Sequence, residues 1–354
     1  MFDTSNTRDT FDMSNSSGRG KASPRKGIMH VTHADIADFA QRRVNLPSDK
    51  AKQYRAQANS LKEKLEKHVV DHPDYDLVKM RNAGSVEKRT SLRTTSDFDV
   101  MVYIKAGAVP ADDSQLGAWT SERLVQAYPQ LNPDQFVPQT HCVTIEFRGS
   151  GLSIDVVPVI YEGEPDDVGY LVAKTSGTRL KTSVTQHLQF LRARKNGDAD
   201  LGITANPDLA QGIRLVKWWV KQQKQKDPDF RFKSFMVELI LCRLSDNGVS
   251  FGDYATLLES FFEHLLTDRF ATQIGFTDFY KASALPARGV DAIQVIDPVN
   301  TDNNVAVRYT AGDRDRILGA AQDAYDALSE ARWATTKGRA VSCWQDVLGP
   351  SFGG

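Results

Sequence analysis

The sequence holds few cysteines and almost no net charge. Only three cysteines occur in 354 residues, they lie far apart, and no Cys-x-x-Cys pair exists. An odd, scattered set is a poor basis for disulfides or a zinc site, so Cys142, Cys242 and Cys343 are predicted to be reduced thiols of a cytosolic protein. The formal net charge is −1, which argues against a protein that coats long nucleic acid through an overall positive field.

Long apolar runs are also absent. No stretch approaches the roughly 20 apolar residues of a membrane-spanning helix, and the N-terminal residues lack a signal-peptide core, so we expect a cytoplasmic protein without membrane contact. Hydrophobic residues make up 40% and charged residues 25% of the chain, which is typical of a globular fold. Residues 1–27 are rich in Ser, Thr, Asp and Gly instead, and we predict a disordered tail there.

The most informative stretch is an acidic pair that opens an apolar run. Val100 to Ile104 are β-branched, aromatic or otherwise apolar, which predicts a buried β-strand. Because side chains alternate faces along a strand, Asp97 and Asp99 point the same way, roughly 7 Å apart. Two carboxylates on one face repel each other unless a cation lies between them, and Mg²⁺ prefers such oxygen ligands. The pair predicts a metal-binding strand, with a solvated strand end as the alternative.

A glycine–serine pair precedes the acidic pair. Gly84 permits a tight turn and close backbone approach. Ser85 opens a polar, helix-compatible run, and the free N–H groups of a helix start bind phosphate. Lys88, Arg89 and Arg93 follow, either on a solvated face or near bound phosphates. An ordinary turn is the alternative for the Gly-Ser pair taken alone.

A third carboxylate lies on a predicted hairpin. Residues 143–149 alternate like a strand, Ser150-Gly151 is a turn signal, and residues 152–160 form the return strand. Asp155 is a lone acid in that apolar strand, where an unpaired buried carboxylate is costly. A phosphate cradle followed by three carboxylates predicts a nucleoside triphosphate site with two metal ions about 4 Å apart.

This order of motifs resembles the DNA polymerase β-like nucleotidyltransferase superfamily. Later residues narrow the resemblance to the bacterial cGAS/DncV-like nucleotidyltransferases, relatives of oligoadenylate synthetase, over roughly residues 45–335. The resemblance implies an α+β fold, in which a nucleotidyltransferase lobe with a mixed β-sheet and a C-terminal helical lobe enclose the active site. It also implies two Mg²⁺ ions, with Mn²⁺ as an alternative, held by Asp97, Asp99 and Asp155.

Two strings resemble the helical lobe of oligoadenylate synthetase. They are Arg214-Leu-Val-Lys217-Trp-Trp and Phe232-Lys-Ser234-Phe-Met-Val-Glu238. The resemblance implies that Lys217 and Ser234 contact the donor triphosphate, with a solvated lysine and a helix N-cap as the alternatives. Glu238 is expected to be structural and to pair with Lys217 or Arg214.

Other segments are less specific. Residues 182–184 depart from the Ser/Thr-Asn-Pro pattern of the family, and Asp297 to Val305, which resembles a family segment, is interpreted as a structured loop. Four aromatic residues are candidates for stacking on the nucleotide bases. The candidates are Tyr103, Tyr161, Tyr170 and Phe279.

We predict a catalytic lobe over residues 28–180, a helical lobe over residues 181–340, and a flexible tail over residues 341–354. The tail ends in Gly-Gly, like a ubiquitin-like terminus. By resemblance to some bacterial members, Gly354 could be conjugated by a partner with E1-E2-like chemistry. A frayed terminus is the alternative.

The function implied is synthesis of a cyclic di- or trinucleotide second messenger in CBASS anti-phage signalling, read by a separate effector. ATP is the expected substrate, with GTP, UTP and CTP open. The alternatives are a linear 2′-5′ oligonucleotide synthetase, an RNA-tailing nucleotidyltransferase, and an inactive nucleotide-binding scaffold that acts through its tail. The near-neutral charge argues against a long nucleic-acid substrate.

Overall fold

The computed structural model describes residues 30–95 and 97–354. The predicted tail at residues 1–27 lies outside the described residues. The helices are α1 (His33–Phe39), α2 (Ser48–Asp71), α3 (Gly84–Glu87), α4 (Leu116–Ala127), α5 (Val184–Asn196), α6 (Leu209–Lys226), α7 (Ser234–Asp246), α8 (Tyr254–Asp268), α9 (Ala311–Trp333) and α10 (Lys337–Leu348). The strands are β1 (Leu77–Asn82), β2 (Asp97–Lys105), β3 (Phe136–Pro138), β4 (Val143–Phe147), β5 (Leu152–Tyr161), β6 (Gly169–Val172), β7 (Arg179–Thr182), β8 (Ile296–Asp297) and β9 (Asn300–Asn304).

Seven strands form a mixed sheet around a central parallel pair. The order is β1-β2-β5-β4-β3, with β6 attached to β5 and β7 to β6. β2 runs parallel to β5, and the other pairs are antiparallel. The predicted hairpin is confirmed as β4 and β5. With the helices that follow, this architecture confirms the expected α+β fold.

The alternation along β2 separates a packing face from a functional face. The packing face lies beneath α2 and α4 and consists of Phe98, Val100, Val102 and Ile104, all fully buried. The intervening residues face the other way, where Asp99 and Met101 line a cavity shared with α6 and α7. Burial of the packing face therefore directs the acidic residues toward the helical lobe.

The helical lobe packs around Trp219 of α6, which is fully buried. Its indole makes edge contacts with the rings of Phe230, Phe232, Phe261 and Phe262. The N-terminal helix α1 belongs to this same core, through Ile36 and Phe39. The described chain therefore starts in the helical lobe and crosses to the sheet just before α2, whereas the sequence placed residues from 28 onward in the catalytic lobe.

The prediction of a flexible tail over residues 341–354 is wrong. Most of the segment lies in α10, which Thr336 caps by accepting a hydrogen bond from the Arg339 N–H. Beyond the helix, Phe352 is buried, with its ring 5.1 Å from that of Phe39 and 5.6 Å from that of Trp344. The segment is ordered because its apolar side chains cover the outer surface of the helical core.

Two further features predicted from the sequence are the state of the cysteines and the character of the helices. All three cysteines are free thiols, as predicted, and Cys242 and Cys343 are buried. Within the described ranges, every helix is too short or too polar to cross a lipid bilayer.

Candidate active site

The three carboxylates predicted to be catalytic are brought together by strand register. In the parallel pair β2–β5, Asp99 lies directly beside Asp155, and Asp97 lies beside Ser153 two residues earlier. On the other flank of β5, Thr144 pairs with Asp155 and donates its hydroxyl to Asp155 Oδ1 at 2.6 Å. The three acids predicted from the sequence therefore share one face of two adjacent strands.

The electrostatics of this face call for a cation. Burial, together with the charges of Asp155 and Asp97, raises the pKa of Asp99 to about 6. Burial also raises the pKa of Asp155, partly opposed by the Thr144 hydrogen bond. Adjacent carboxylates in a low-dielectric site are difficult to ionise when no positive charge lies close to them.

The donor chemistry fits a hard divalent ion, because the three side chains offer only carboxylate oxygens. In the part of the chain that the structure describes, no three acidic, His or Cys side chains already converge on one ion position. Asp97 and Asp99 would therefore have to turn their carboxylates toward a common point. Nucleotidyl transfer generally uses divalent metal ions for phosphate charge neutralisation.

Gly84 packs its backbone directly against Asp99. It has a left-handed φ of 68°, and a Cβ at this position would lie 1.6 Å from Asp99 Oδ2. The preceding Ala83 donates its N–H to the Asp99 carbonyl at 2.9 Å. Only glycine accommodates both the backbone angle and the contact, so the start of α3 is locked against the acidic strand.

A cavity of about 450 Å³ lies between the lobes and joins five of the predicted site residues, whereas Asp97 and Asp155 are not among the residues that line it. From the sheet side it is lined by Gly84, Ser85 and Asp99. From the helical lobe it is lined by Lys217 and Ser234. The structure therefore brings these five residues around one space, while Gly354 lies elsewhere, on the outer side of the helical lobe, where its carbonyl accepts from Arg42 Nη1 at 3.0 Å.

For Lys217 and Ser234 the structure excludes the alternatives of a solvated lysine and a helix N-cap. Lys217 is only 7% exposed and is not solvated. Its Nζ donates to Thr90 Oγ1 at 3.0 Å. Ser234 is the first helical residue of α7, and Lys233 occupies the N-cap, so Ser234 does not cap that helix.

A buried charge cluster spans the two lobes at one end of the cavity. Lys88, from the residue after α3, donates to Glu238 Oε1 on α7 at 2.6 Å, and Lys217 Nζ lies 3.9 Å from Glu238 Oε2. Burial lowers the pKa of Lys217 to about 8. Burial acts to raise the pKa of Glu238, but Lys88 and Lys217 lower it overall. Two lysines on one carboxylate leave a net positive end to the cavity.

This cluster corrects one expectation and refines another. Lys88 does not lie on a solvated face; its side chain is 14% exposed, whereas Arg89 is exposed as that interpretation required. Glu238 pairs with Lys88 more closely than with Lys217 and not with Arg214, which bonds to Asn45 and Gln211. The sequence could not indicate a partner 150 positions away.

Several cavity residues escaped the sequence analysis. None of the proposed stacking aromatics lines the cavity; Phe235 and His187 do, with their rings edge to face at 5.4 Å. His187 is held by Asp297, whose Oδ1 lies 2.9 Å from the imidazole Nε2. The segment interpreted as a structured loop is a short hairpin of β8 and β9, and Asp297 of β8 supports the cavity wall. For Phe235, the position directly after Ser234 was the one available signal.

A two-lobed fold with an acidic sheet face opposite a lysine- and serine-lined helical wall defines a nucleotidyltransferase.

No family model matches the chain. It is 46% identical over 325 residues to the cyclic AMP-AMP-AMP synthase of Escherichia coli strain MS 115-1, a match that covers 92% of this chain and 99% of that protein. It is 27% identical over 333 residues to the CBASS oligonucleotide cyclase CdnC of E. coli strain KTE188, with 92% and 98% covered.

Solved structures agree with these relatives. CdnC of E. coli MS115-1 with ATP superposes with a TM-score of 0.83 at 46% identity, covering 92% of this chain and 100% of that one. The CdnC:HORMA-deltaN complex of E. coli MS115-1 superposes with a TM-score of 0.82 at 46% identity, covering 92% of this chain and 99% of that one. The chain therefore belongs to the CBASS oligonucleotide cyclases, the nucleotidyltransferases that make cyclic oligonucleotides for anti-phage signalling.

The contact between Gly84 and Asp99 predicts the effect of a single methyl group. Gly84→Ala is expected to lower cyclic product formation about 100-fold, because displacing a catalytic group by about 1 Å has an effect of that size. Product is measured by mass spectrometry after incubation with nucleoside triphosphates.

Gly151→Ala is the matched control, since Gly151 has a similar φ of 67° but no atom within 4 Å of an added Cβ. It carries the same backbone strain without the clash and should keep near-normal product formation. Equal activities of the two variants would contradict the assigned contact.

Proposed function

We propose that the chain condenses ATP into a cyclic adenosine trinucleotide with the help of Mg²⁺. The observation that carries this proposal is the single cavity that joins Gly84, Ser85 and Asp99 to Lys217 and Ser234. The relative named cyclic AMP-AMP-AMP synthase and the CdnC structure with ATP support the product and the substrate. Mn²⁺ is the alternative ion, and the other nucleoside triphosphates are the alternative substrates.

In the proposed reaction the helical lobe and α3 hold the donor. Ser85, Lys217 and Ser234 bind the triphosphate, and Lys88 adds a second positive charge beside Lys217. Donors fixed before the substrate arrives stabilise developing charge without further reorganisation. The buried position of Lys217 strengthens its attraction for phosphate because little water screens it.

The carboxylate face supports the attack. Asp97, Asp99 and Asp155 would hold the divalent ions, which neutralise phosphate charge and polarise the reacting oxygens when bound. Asp155, oriented by Thr144, accepts the proton of the attacking ribose hydroxyl. The hydroxyl oxygen forms a bond to the α-phosphorus, the bond from the α-phosphorus to the bridging oxygen breaks, and pyrophosphate leaves with that electron pair.

Protein partners follow from the relatives and from the C-terminal segment. The CdnC structure with HORMA-deltaN supports a HORMA-type protein as a partner of this chain. Conjugation through Gly354 by an E1-E2-like enzyme stays a prediction. It would require the terminal residues to leave the Phe39 and Trp344 surface on which Phe352 packs.

The raised pKa of Asp99 predicts a pH-dependent affinity for Mg²⁺. Since the ordinary value is 3.8 and the folded value is about 6, the ion-free folded state binds this proton more tightly than the unfolded chain, and its stability falls as the pH rises through that window. Mg²⁺ must displace the proton, so its apparent affinity should be about fourfold weaker at pH 5.5 than at pH 7.5.

The measurement is a thermal-unfolding titration with Mg²⁺ at both pH values, without nucleotide. In Asp99→Asn the affinity should be weak at both pH values and the fourfold difference should vanish. An affinity in the unaltered protein that is the same at pH 5.5 and 7.5 would contradict the assignment of Asp99 as a ligand.

Substitution of Lys217 tests whether this residue binds the triphosphate. Lys217→Ala is expected to weaken binding of a nucleoside triphosphate by about 10- to 100-fold, since a hydrogen bond to a charged group contributes about 1.5–3 kcal/mol. Isothermal calorimetry gives the Kd. Lys221→Ala is the matched control, because Lys221 lies one turn further along α6, over the Trp218 ring. An unchanged Kd for Lys217→Ala would remove this residue from the site.

The product identifies the reaction. Incubation with Mg²⁺ and the four ribonucleoside triphosphates, followed by phosphatase and mass spectrometry, should give a phosphatase-resistant cyclic triadenylate, and Asp97→Ala should give none. Glu146→Gln, at an exposed carboxylate on neighbouring β4, should leave the product unchanged. A ladder of phosphatase-sensitive oligomers would point to a linear synthetase instead, and product from Asp97→Ala would refute the metal assignment.

A further inference from the structure

A second cavity adjoins the catalytic cavity at its positive end. It has a volume of about 520 Å³ and lies among the C-terminal end of α3, the last turns of α5 and the first turns of α6. Lys88 and Leu188 line both cavities. We call this space the basic groove, defined by its basic residues Lys88, Arg89, Arg192, Lys195 and Arg214.

The charge of the basic groove is strongly positive. Its walls contain five basic side chains and two acidic ones, Glu87 and Asp208, a formal excess of three positive charges. Asp208 is already engaged by the Tyr254 hydroxyl at 3.1 Å. Within the described residues, Arg89, Arg192 and Lys195 have no carboxylate at ion-pair distance. Because Lys88 is already paired with Glu238, the excess available to a ligand is two positive charges.

Arg214 lies in this wall and has only neutral hydrogen-bond partners. Its Nε donates to Asn45 Oδ1 at 2.9 Å, and its terminal nitrogens donate to the Arg89 carbonyl and to Gln211 Oε1. In the described part of the chain no carboxylate lies within 4.0 Å of it. These neutral acceptors hold the guanidinium in place but leave its positive charge without a counter-charge, which is costly for a largely buried group. An anion in the groove would supply that counter-charge.

The groove meets the cavity at the phosphate end and not at the carboxylate end. Lys88, which reaches into both spaces, belongs to the cluster with Lys217 and Glu238. Asp99 and Met101 line the catalytic cavity alone. An anion that leaves the donor triphosphate wall therefore encounters Lys88 first and the arginines of the groove next.

We propose that the basic groove binds pyrophosphate and provides the route by which the leaving group departs from the catalytic cavity. This inference rests on the proposed nucleotidyl transfer, which releases one pyrophosphate for each bond formed. The groove's positive charge suits a short anion with two phosphate groups. Pyrophosphate from solution and pyrophosphate released by the reaction are the same compound. Two experiments distinguish binding from solution from release of the product.

The first experiment measures pyrophosphate binding while the catalytic cavity is filled. The full chain is saturated with α,β-methylene ATP and Mg²⁺ and is then titrated with pyrophosphate by calorimetry. The unaltered protein should bind one further pyrophosphate. In the double variant Arg192→Gln/Lys195→Gln that Kd should rise at least about tenfold, because two charge-assisted contacts are lost.

The matched control is Lys50→Gln/Lys52→Gln, which removes two exposed positive charges from α2, far from the groove in sequence and outside its lining. It should bind pyrophosphate like the unaltered protein. Thermal unfolding verifies that both double variants are folded. Failure of the analogue-filled protein to bind pyrophosphate, or equal Kd values in the two double variants, would overturn the groove as a site.

The second experiment tests the exit route. Bond formation is followed by rapid quench, and release of pyrophosphate by a coupled pyrophosphatase signal. In Arg192→Gln/Lys195→Gln, release should slow at least about threefold relative to bond formation. If binding falls but release keeps its rate, the groove holds only pyrophosphate from solution and the exit route is refuted. If no product forms at all, the proposed reaction fails, while the calorimetric test still decides the groove.

Discussion

The parallel pairing of β2 with β5 is the constraint on which the active site depends. It fixes Asp99 beside Asp155, and a slip of one residue would turn one of them to the opposite face of the sheet. The register is held from below, where Phe98, Val100 and Ile154 are fully buried beneath α2 and α4. The unfavourable proximity of the carboxylates is thus maintained by hydrophobic burial on the far side of the same strands.

The positive side of the site depends on contacts between lobes. Glu238 is buried in α7 and is engaged by Lys88 from the sheet lobe and by Lys217 from α6. A buried ion pair is weak evidence for stability, because desolvation offsets the attraction. Its effect here is positional: it directs two lysines toward the space that Ser85 and Ser234 also line. The site is therefore complete only when both lobes are in place.

The sequence predicted correctly those features that depend on residues close together along the chain. The alternation around Asp97, Asp99 and Asp155 was enough to place three acids on one face. The two alternatives for Lys88 could not be separated from the sequence because its partner, Glu238, lies on a distant helix. The stacking candidates failed because sequence does not show which rings face the space between lobes.

The C-terminal error had a local signal that was missed. Ala340, Cys343, Trp344, Val347 and Leu348 recur at helical spacing, and all are buried in α10. The Gly-Gly ending drew attention to the last residues as an exposed tail, although Phe352, directly before it, provides an apolar anchor. A terminal motif and a packed helix are compatible, and the periodicity was the stronger physical argument.

The path of the chain also limits how the protein can be divided. Residues 31–44 pack in the helical core, the sheet lobe follows, and the chain returns at Ser183 and α5. At the first crossing, Asn45 is clasped by Gln211 and Arg214 of α6. The helical lobe is thus discontinuous, and the sheet lobe is an insertion with two covalent tethers. Such tethers favour hinge bending over free rotation, and an excised C-terminal half would lack the helix that completes its own core.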